Sequence, residues 1–198
     1  MFGIPNHLKL SFTPLALGLY EFEVLIRLRE DGDSWDVIKS KVHSDNLLKQ
    51  TSQASVTRVL REVRQRIQCL HSTTCANFLK WGYEERQAIA LIAACKCYPF
   101  IFNFIRGPLR DKIQVFDLAL HDSDFDVYWN GVAVDHPNLE NTAESTKKKL
   151  KQVLIRLLAE ASLLSETDNP FITPIPLPTR LDEVFTLEGD EYREAFLG

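Results

Sequence analysis

The chain has 198 residues, which is enough for one large hydrophobic core or two small ones. Hydrophobic residues make up 45% and charged residues 25%, and these proportions exclude a disordered or collagen-like chain. The formal net charge of −4 argues against a nucleic-acid-binding protein. However, residues 1–110 hold 15 Lys and Arg against 10 Asp and Glu, whereas residues 111–198 hold 8 against 17. The N-terminal half is therefore basic and suited to an anionic partner.

The first 45 residues predict two helices. Thr13 as N-cap, followed by a proline in the first turn, predicts a helix over residues 14–29. Asp33 or Ser34 then caps a second helix over residues 35–42. Both segments offer apolar side chains at helical spacing, so both are expected to pack on a core.

Residues 51–70 form the most strongly patterned stretch of the chain, an amphipathic helix with Ser52 as its predicted N-cap. One face carries the apolar residues Val56, Val59, Leu60, Val63, Ile67 and Leu70. The opposite face and its flanks carry Arg58, Arg61, Arg64 and Arg66. Two helices, a connector and a long basic helix resemble a helix-turn-helix domain, although residues 44–50 make a longer connector than a tight turn.

Guanidinium groups match phosphates and base edges in a bidentate manner, so this helix is a candidate nucleic-acid contact. A second basic cluster opens a predicted amphipathic helix over residues 144–164. Lysines at a helix N-terminus oppose the macrodipole, so this cluster is either fully solvated or binds an anion. The candidate DNA-binding residues are Ser52, Gln53, Thr57, Arg58, Arg61, Arg64, Arg66, Lys147, Lys148, Lys149 and Lys151.

Residues 88–105 are the most apolar run, and Lys96, Pro99 and Asn103 interrupt it. A buried core helix broken at Pro99 is therefore favoured over a membrane span. The four cysteines form no C-x-x-C pair, and residues 1–14 lack the features of a secretory signal. These observations predict free thiols and a cytoplasmic protein.

A break is predicted at Gly107 and Pro108, followed by a helix over residues 109–120. Because the composition turns acidic here, we expect a basic helical domain over residues 1–107 and an acidic helical domain over residues 108–198.

Three alternating acids, Asp122, Asp124 and Asp126, invite comparison with a calcium-binding loop. Val127 and Ala133 occupy the positions of the required glycine and glutamate, so a solvated acidic turn is predicted instead. The sequence Trp129-Asn130-Gly131 then predicts a helix end or turn.

The proline-rich stretch over residues 170–178 has two interpretations. Phe171, Ile172, Ile175 and Leu177 suit a short edge hairpin, which would give the C-terminal part a winged-helix ending. The alternative is an extended arm packed on the surface. Thr179 is the predicted cap of a last short helix.

Motifs of catalysis are missing from the sequence. It contains no glycine-rich phosphate loop, no G-x-S-x-G, no H-E-x-x-H and no paired zinc-binding motif. The residues therefore favour a protein that needs no cofactor, metal or small-molecule substrate, and an enzyme whose site is assembled only in the fold stays an alternative.

Several short motifs are those of one known family: Ser11-Phe12-Thr13, Asp33-Ser34-Trp35, Asn46-Leu47-Leu48, Thr51-Ser52, Arg58, Arg61-Glu62-Val63-Arg64, Arg66-Ile67 and Ala161-Ser162-Leu163-Leu164. They make the chain similar to the BrxA family, small accessory proteins of bacterial BREX phage-defence systems. The resemblance implies a mostly helical protein, with helix-turn-helix-like parts, that binds double-stranded DNA. It also implies that the protein has no enzymatic activity of its own and serves a larger defence and DNA-methylation assembly.

The sequence therefore predicts a mostly α-helical, non-enzymatic, double-stranded DNA-binding protein with low sequence specificity. Its expected partners are double-stranded DNA and other BREX components, with no membrane. Two alternatives stay open. One is a protein-interaction adaptor within the defence complex, and the other is an RNA-binding protein, because members of the family have been likened to the antitermination protein NusB.

Overall fold

The structure, a computed structural model, describes residues 8–174 and 179–196. Within those residues the chain is mostly α-helical and has no β-strand, which confirms the predicted fold class. Backbone contacts divide the chain into two compact units. The arginine unit comprises residues 17–97 and 179–192, and the lysine unit comprises residues 8–16, 98–174 and 193–196.

The division falls between Cys97 and Tyr98, whereas the sequence suggested a boundary after residue 107. A residue that precedes proline is disfavoured in the α region, so a helix ends before it. Tyr98 precedes Pro99 and leaves the helical region, with φ −135° and ψ 87°. The chain also returns to the arginine unit for residues 179–192, which no local composition shift signals.

The helices in chain order are α1 (Leu19–Glu30), α2 (Trp35–Ser44), α3 (Gln53–Cys69), α4 (Ser72–Asn77), α5 (Tyr83–Cys97), α6 (Pro99–Phe104), α7 (Arg110–Gln114), α8 (Asp122–Asp135), α9 (Glu144–Glu160) and α10 (Asp182–Glu188). Short 3₁₀ segments cover Phe78–Lys80, Pro137–Leu139, Thr179–Leu181 and Asp190–Ala195, and a π-helical turn covers Ile105–Leu109.

Helix α1 begins later than the Thr13 cap predicts. Residues 11–14 form a turn, and Gly18 occupies the N-cap position of α1 with a left-handed φ of 73°. Glycine adopts that conformation at no steric cost, so the chain changes direction there. The second prediction is confirmed, because Ser34 accepts a hydrogen bond from the Val37 amide and caps α2.

The connector between α2 and α3 is organised by Asn46. Its backbone is left-handed, with φ 47°, which asparagine tolerates better than most residues. Its amide side chain donates to the Gln50 carbonyl and accepts from the Gln50 amide. Leu48, within this turn, is buried. The connector is thus an ordered turn that leads to the confirmed Ser52 cap of α3.

The core of the arginine unit forms around α3. Its apolar face is buried as its spacing predicts, through Val56, Val59, Leu60, Val63 and Ile67. This face packs on α1, α2 and α5. Helix α5 is buried over residues 88–95, which confirms the prediction of a core helix that ends before Pro99.

The lysine unit has an aromatic core. Phe100 of α6 lies 4.9 Å from Tyr128 and 6.0 Å from Trp129 of α8, measured between ring centroids. The Tyr128 hydroxyl donates a hydrogen bond to the Phe100 carbonyl. Phe104, one turn later in α6, lies 5.2 Å from Tyr128. Helix α9 contributes the buried residues Leu150, Val153, Leu154, Leu157 and Leu158.

The break predicted at Gly107 and Pro108 is wrong. The helix continues from α6 into α7 through the π-helical turn, with Pro108 inside it. Proline lacks the amide N–H that a helix interior requires. A π turn changes the spacing of the backbone hydrogen bonds around it from four residues to five. Helix α7 then ends at Gln114, earlier than predicted, and Phe116 adopts a left-handed φ of 57°.

The acidic turn and the helix end predicted around residues 122–131 are also wrong, because both stretches belong to α8. Asp122 and Asp124 occupy its first turn, where carboxylates complement the positive end of the helix. Gly131 lies in the helix interior, where glycine is unfavourable but does not end a helix.

The predicted β wing is not confirmed, because the described part of this stretch makes only isolated bridges. Phe171 and Ile172 each make one isolated antiparallel bridge, to Ala119 and Leu164 respectively. The stretch therefore pairs with the segment that follows α9 and with the segment that precedes α8. Ile175 and Leu177, the other half of the predicted hairpin, lie outside the described residues.

Candidate nucleic-acid interface

Helix α3 presents three exposed arginines on the side opposite its buried face. Arg58, Arg61 and Arg64 follow one another at helical spacing, and all three are exposed. Gln68 continues the exposed face towards the helix C-terminus. The Arg58 guanidinium donates to the Ser55 hydroxyl at 3.3 Å. This row matches the predicted candidate surface.

Arg66 is not part of that surface, and its predicted contact with DNA is wrong. Its side chain is fully buried. Nε donates to the Glu62 carboxylate at 2.8 Å, and a terminal guanidinium nitrogen donates to the Leu17 carbonyl at 3.2 Å. Periodicity placed Arg66 on a flank of the helix, and the chain entering α1 covers that flank. Arg66 is a structural residue of the arginine unit.

The polar residues at the start of α3 are engaged within the unit. Ser52 accepts the Ser55 amide at 3.1 Å. The Gln53 amide nitrogen donates to the His43 carbonyl, and its oxygen accepts from His43 Nδ1. Thr57 Oγ1 lies 3.3 Å from the other ring nitrogen of His43 and donates to the Gln53 carbonyl. His43 thus ties the end of α2 to the first two turns of α3.

Trp35, at the start of α2, contacts two arginines through its ring. The Arg64 guanidinium carbon lies 4.8 Å from the ring centroid, and that of Arg29 lies 5.4 Å away. Trp35 is half-buried, whereas both arginines are exposed. Arg64 therefore has an aromatic neighbour that Arg58 and Arg61 are not seen to share.

The lysine cluster at the start of α9 is split into paired and exposed members. Lys147 contacts Asp126 at 2.7 Å, and Lys151 contacts Asp122 at 2.5 Å. The hydrogen bond from Lys147 lowers the pKa of the Asp126 carboxyl below its usual value. Lys148 and Lys149 are exposed on the other side.

The three alternating acids of the lysine unit each contact a lysine. Besides the Asp122 and Asp126 pairs, the Asp124 carboxylate lies 3.3 Å from Lys112 Nζ and accepts the His121 amide at 2.7 Å. Within the part of the chain that the structure describes, no group of three or more His, Cys, Asp or Glu side chains is arranged to hold a metal ion.

All four cysteines are free thiols, as predicted. Burial raises the pKa of the Cys75 thiol to about 11 and raises that of Cys95 further. A hydrogen bond with Cys69, together with burial, raises the pKa of Cys97. Because the thiolate is the reactive form, these three shifts disfavour a nucleophilic role for those thiols near neutral pH.

Sequence reasoning missed His43 and Trp35. Neither residue is among the candidate DNA-binding residues that the sequence pattern indicates. Their contacts join residues 10 to 29 positions apart, from His43 to Gln53 and from Trp35 to Arg64. A weak signal existed for His43, because it ends one predicted helix close before the cap of the next. No local pattern pairs Trp35 with Arg64.

None of the helices in the described residues is both long and apolar enough to cross a membrane by itself. Tyr83–Cys97 and Pro99–Gln114 reach the length and composition of a span only when taken together across the break between them.

The fold and this surface define a mostly α-helical protein with an exposed arginine row on one long amphipathic helix. The BrxA family model matches residues 7–188, which is most of the chain. The chain belongs to the BrxA family.

The chain is similar to known proteins both in sequence and in fold. The BREX protein BrxA of Bacillus cereus (strain H3081.97) is 24% identical over 127 residues, a match that covers 64% of this chain and 64% of that protein. The chain thus spans 64% of the length of this curated relative. A crystal structure of an uncharacterized protein from Magnetospirillum magneticum superposes with a TM-score of 0.83 at 17% identity, and covers 96% of this chain and 99% of that one. This second likeness concerns the fold.

Proposed function

We propose that this protein is a non-enzymatic, double-stranded DNA-binding accessory protein of a bacterial BREX phage-resistance system. The observation that carries the DNA-binding part is the exposed row of Arg58, Arg61 and Arg64 on α3. Membership of the BrxA family, and a relative named as a BREX protein, support the assignment to such a system. The proposed site of action is the cytoplasm, with duplex DNA and other BREX components as partners.

Three guanidiniums at successive turns suit the phosphates of a duplex, because each presents a planar fork of donors that matches phosphate oxygens. Sequence reading by glutamine requires a free amide that can pair with adenine. Gln53 already uses both ends of its amide on His43. We therefore propose binding mainly through phosphates, with low sequence specificity.

The test is a titration of one labelled sequence as duplex DNA, duplex RNA and single-stranded RNA at several salt concentrations. Duplex DNA should bind most tightly. The logarithm of its association constant should fall against that of salt with a slope of about −3 if the three arginines each neutralise one phosphate. Binding to none of the three at the lowest salt would contradict the proposal. A clear preference for RNA would favour the RNA-binding alternative instead.

One observation favours the adaptor as a second candidate. Phe116 is 92% exposed and Val115 is 72% exposed, directly after α7 in the lysine unit. The turn that carries them is fixed by hydrogen bonds from the Phe116 amide to Ile113 and from the Asp117 amide to Lys112. Exposed apolar side chains on a fixed turn are typical of a protein contact.

Two substitutions distinguish the DNA-binding protein from the adaptor. Phe116→Ser should weaken co-purification with the other BREX components while leaving duplex-DNA affinity unchanged, if the turn serves an adaptor role. Arg61→Ala should weaken DNA binding and leave co-purification intact. If neither substitution changes co-purification, the exposed turn is not the protein contact.

A further inference from the structure

Trp35 joins three helices of the arginine unit through its ring. It is the first residue of α2, Arg64 reaches it from α3 and Arg29 reaches it from the last turn of α1. The two guanidinium carbons lie 4.8 Å and 5.4 Å from the ring centroid. Both distances are within the range of a cation–π contact. We call this set the Arg29–Trp35–Arg64 cluster.

We propose that Trp35 is a positioning residue for nucleic-acid binding, because its ring holds the exposed Arg64 guanidinium in the arginine row of α3. This inference rests on the proposed function. It adds Trp35 to the residues that affect binding, although Trp35 itself does not contact the nucleic acid. Arg58 and Arg61 supply the neighbouring cations, and Trp35 fixes the third.

The physical reason is conformational entropy. A long arginine side chain that is free in solution loses rotamer freedom when it binds a phosphate, and this loss opposes binding. A guanidinium that already rests on an indole has lost part of that freedom before the ligand arrives. Contact with a ring face uses the π system of the ring and leaves guanidinium N–H donors available for phosphate oxygens.

Arg29 contacts the loop before α2 as well as the Trp35 ring. Its guanidinium donates to the Asp33 carbonyl at 2.8 Å, and the Asp33 carboxylate pairs with Lys41 at 2.6 Å. Glu30 and Asp31, which follow Arg29 directly, are exposed acids that repel a phosphate. Arg29 is therefore assigned to bracing the indole, and only Arg64 to the phosphate contact.

Burial in the core does not by itself explain why a tryptophan occupies position 35. Ile38 and Val42 are the residues that α2 buries in the core, and both are fully inaccessible. Trp35 is only half-buried and begins the helix at its solvent-exposed end. Its ring also contacts the guanidiniums of Arg29 and Arg64, which come from two other helices of the unit.

The experiment is a double-mutant cycle on duplex-DNA affinity with Trp35→Leu and Arg64→Ala. Leucine keeps apolar bulk but removes the ring face, and Trp35→Phe is the conservative variant that keeps a ring. Trp35→Leu should weaken binding about two- to fivefold, the range of an exposed cation–π contact, and Trp35→Phe should restore most of the affinity. In the Arg64→Ala background, Trp35→Leu should change nothing further.

Tyr83→Ala is the matched control, because Tyr83 is an exposed aromatic residue that, like Trp35, begins a helix of the same unit. Its affinity should equal that of the unaltered protein, and the circular dichroism of every variant should match.

The outcomes separate this inference from the function on which it rests. If Trp35→Leu leaves the affinity unchanged while Arg61→Ala lowers it, the proposed function stands and the positioning role is overturned. An equal loss with and without Arg64 would also overturn it, since Trp35 would then act by another route. If the unaltered protein does not bind DNA, both the function and the inference fail.

Discussion

Helices α3 and α9 are the two most strongly cationic helices in the described residues, and their charged side chains have different neighbours. Helix α3 buries Arg66 against Glu62 and leaves a row of three arginines exposed. At the start of α9, two of four lysines are paired with aspartates of α8. The last arginine of the basic pattern in α3 is thus structural, whereas half of the lysine cluster of α9 is paired with carboxylates.

The difference shows that the number of cations on a helix does not tell how well its surface can bind an anion. What matters is which cations lack an anionic neighbour and lie on one face. By this criterion the arginine row is the stronger candidate for binding phosphate, and Lys148 with Lys149 is the weaker one. Four variants, two single and two double, test the comparison, from the largest expected effect to the smallest.

The buried pair within α3 should dominate stability. Glu62→Ala leaves the Arg66 guanidinium buried without its carboxylate, and removal of one partner of a buried ion pair costs about 3 kcal/mol or more of the free energy of unfolding. Urea denaturation followed by circular dichroism measures this change. Arg61→Ala, on the exposed face of the same helix, should stay within about 0.5 kcal/mol. A small effect of Glu62→Ala would show that the burial of Arg66 needs no ion pair.

The exposed row should dominate affinity. Arg61→Ala should weaken duplex-DNA binding about five- to tenfold and reduce the salt slope by about one, because one phosphate contact is lost. Fluorescence anisotropy at several salt concentrations measures both quantities. Gln68→Ala, on the same exposed face but neutral, is the matched control and should keep the slope. Loss of affinity with an unchanged slope would contradict a phosphate contact.

Release of the paired lysines should strengthen binding slightly. Asp122→Asn with Asp126→Asn removes the carboxylates that pair with Lys151 and Lys147, and the gain in duplex-DNA affinity should be about twofold, since exposed ion pairs are weak. The control is Glu140→Gln with Glu166→Gln, which removes the same charge from exposed positions of the same unit. Equal gains in both variants would mean that only net charge matters.

The smallest effect on affinity is expected at the start of α3. Gln53→Ala with Thr57→Val removes side chains that bond to His43, so the free energy of unfolding should fall by about 1 kcal/mol. The same change should alter duplex-DNA affinity by less than about twofold, because neither group is free to read bases. Thermal denaturation and anisotropy measure the two effects. A large loss of affinity would restore these residues to the interface.

Much of the arginine unit was predictable from local pattern. The apolar spacing of residues 56–67 and the capping serines Ser34 and Ser52 predict α2 and α3 because both signals are local. The α9 core face follows from the same periodicity. These are the elements in which propensity, capping and burial agree.

The failures have tertiary causes. Pro108 lies within a π-helical turn and Gly131 within a helix, because packing of Phe104, Leu109 and Trp129 in the core outweighs the local preference for a break. The burial of Arg66 depends on the carbonyl of Leu17, which is 49 residues away. Helical periodicity assigns a residue to a face but does not say whether another segment covers that face.

Part of the candidate site could be predicted from the sequence. Arg58, Arg61 and Arg64 follow from the helix pattern, and the structure leaves them exposed. The engagement of Gln53 and Thr57 by His43, and the contact of Arg64 with Trp35, required the fold. The pairing of Lys147 and Lys151 with carboxylates also required the fold, because those carboxylates belong to a different helix.

The central claim is that the exposed arginine row binds duplex DNA through phosphates. The most direct measurement compares the salt dependence of duplex-DNA binding by the unaltered protein and by Arg58→Ala with Arg61→Ala. The account predicts tight binding at low salt with a steep slope, and a slope shallower by about two in the double variant. Identical slopes, or no binding by the unaltered protein at low salt, would contradict it.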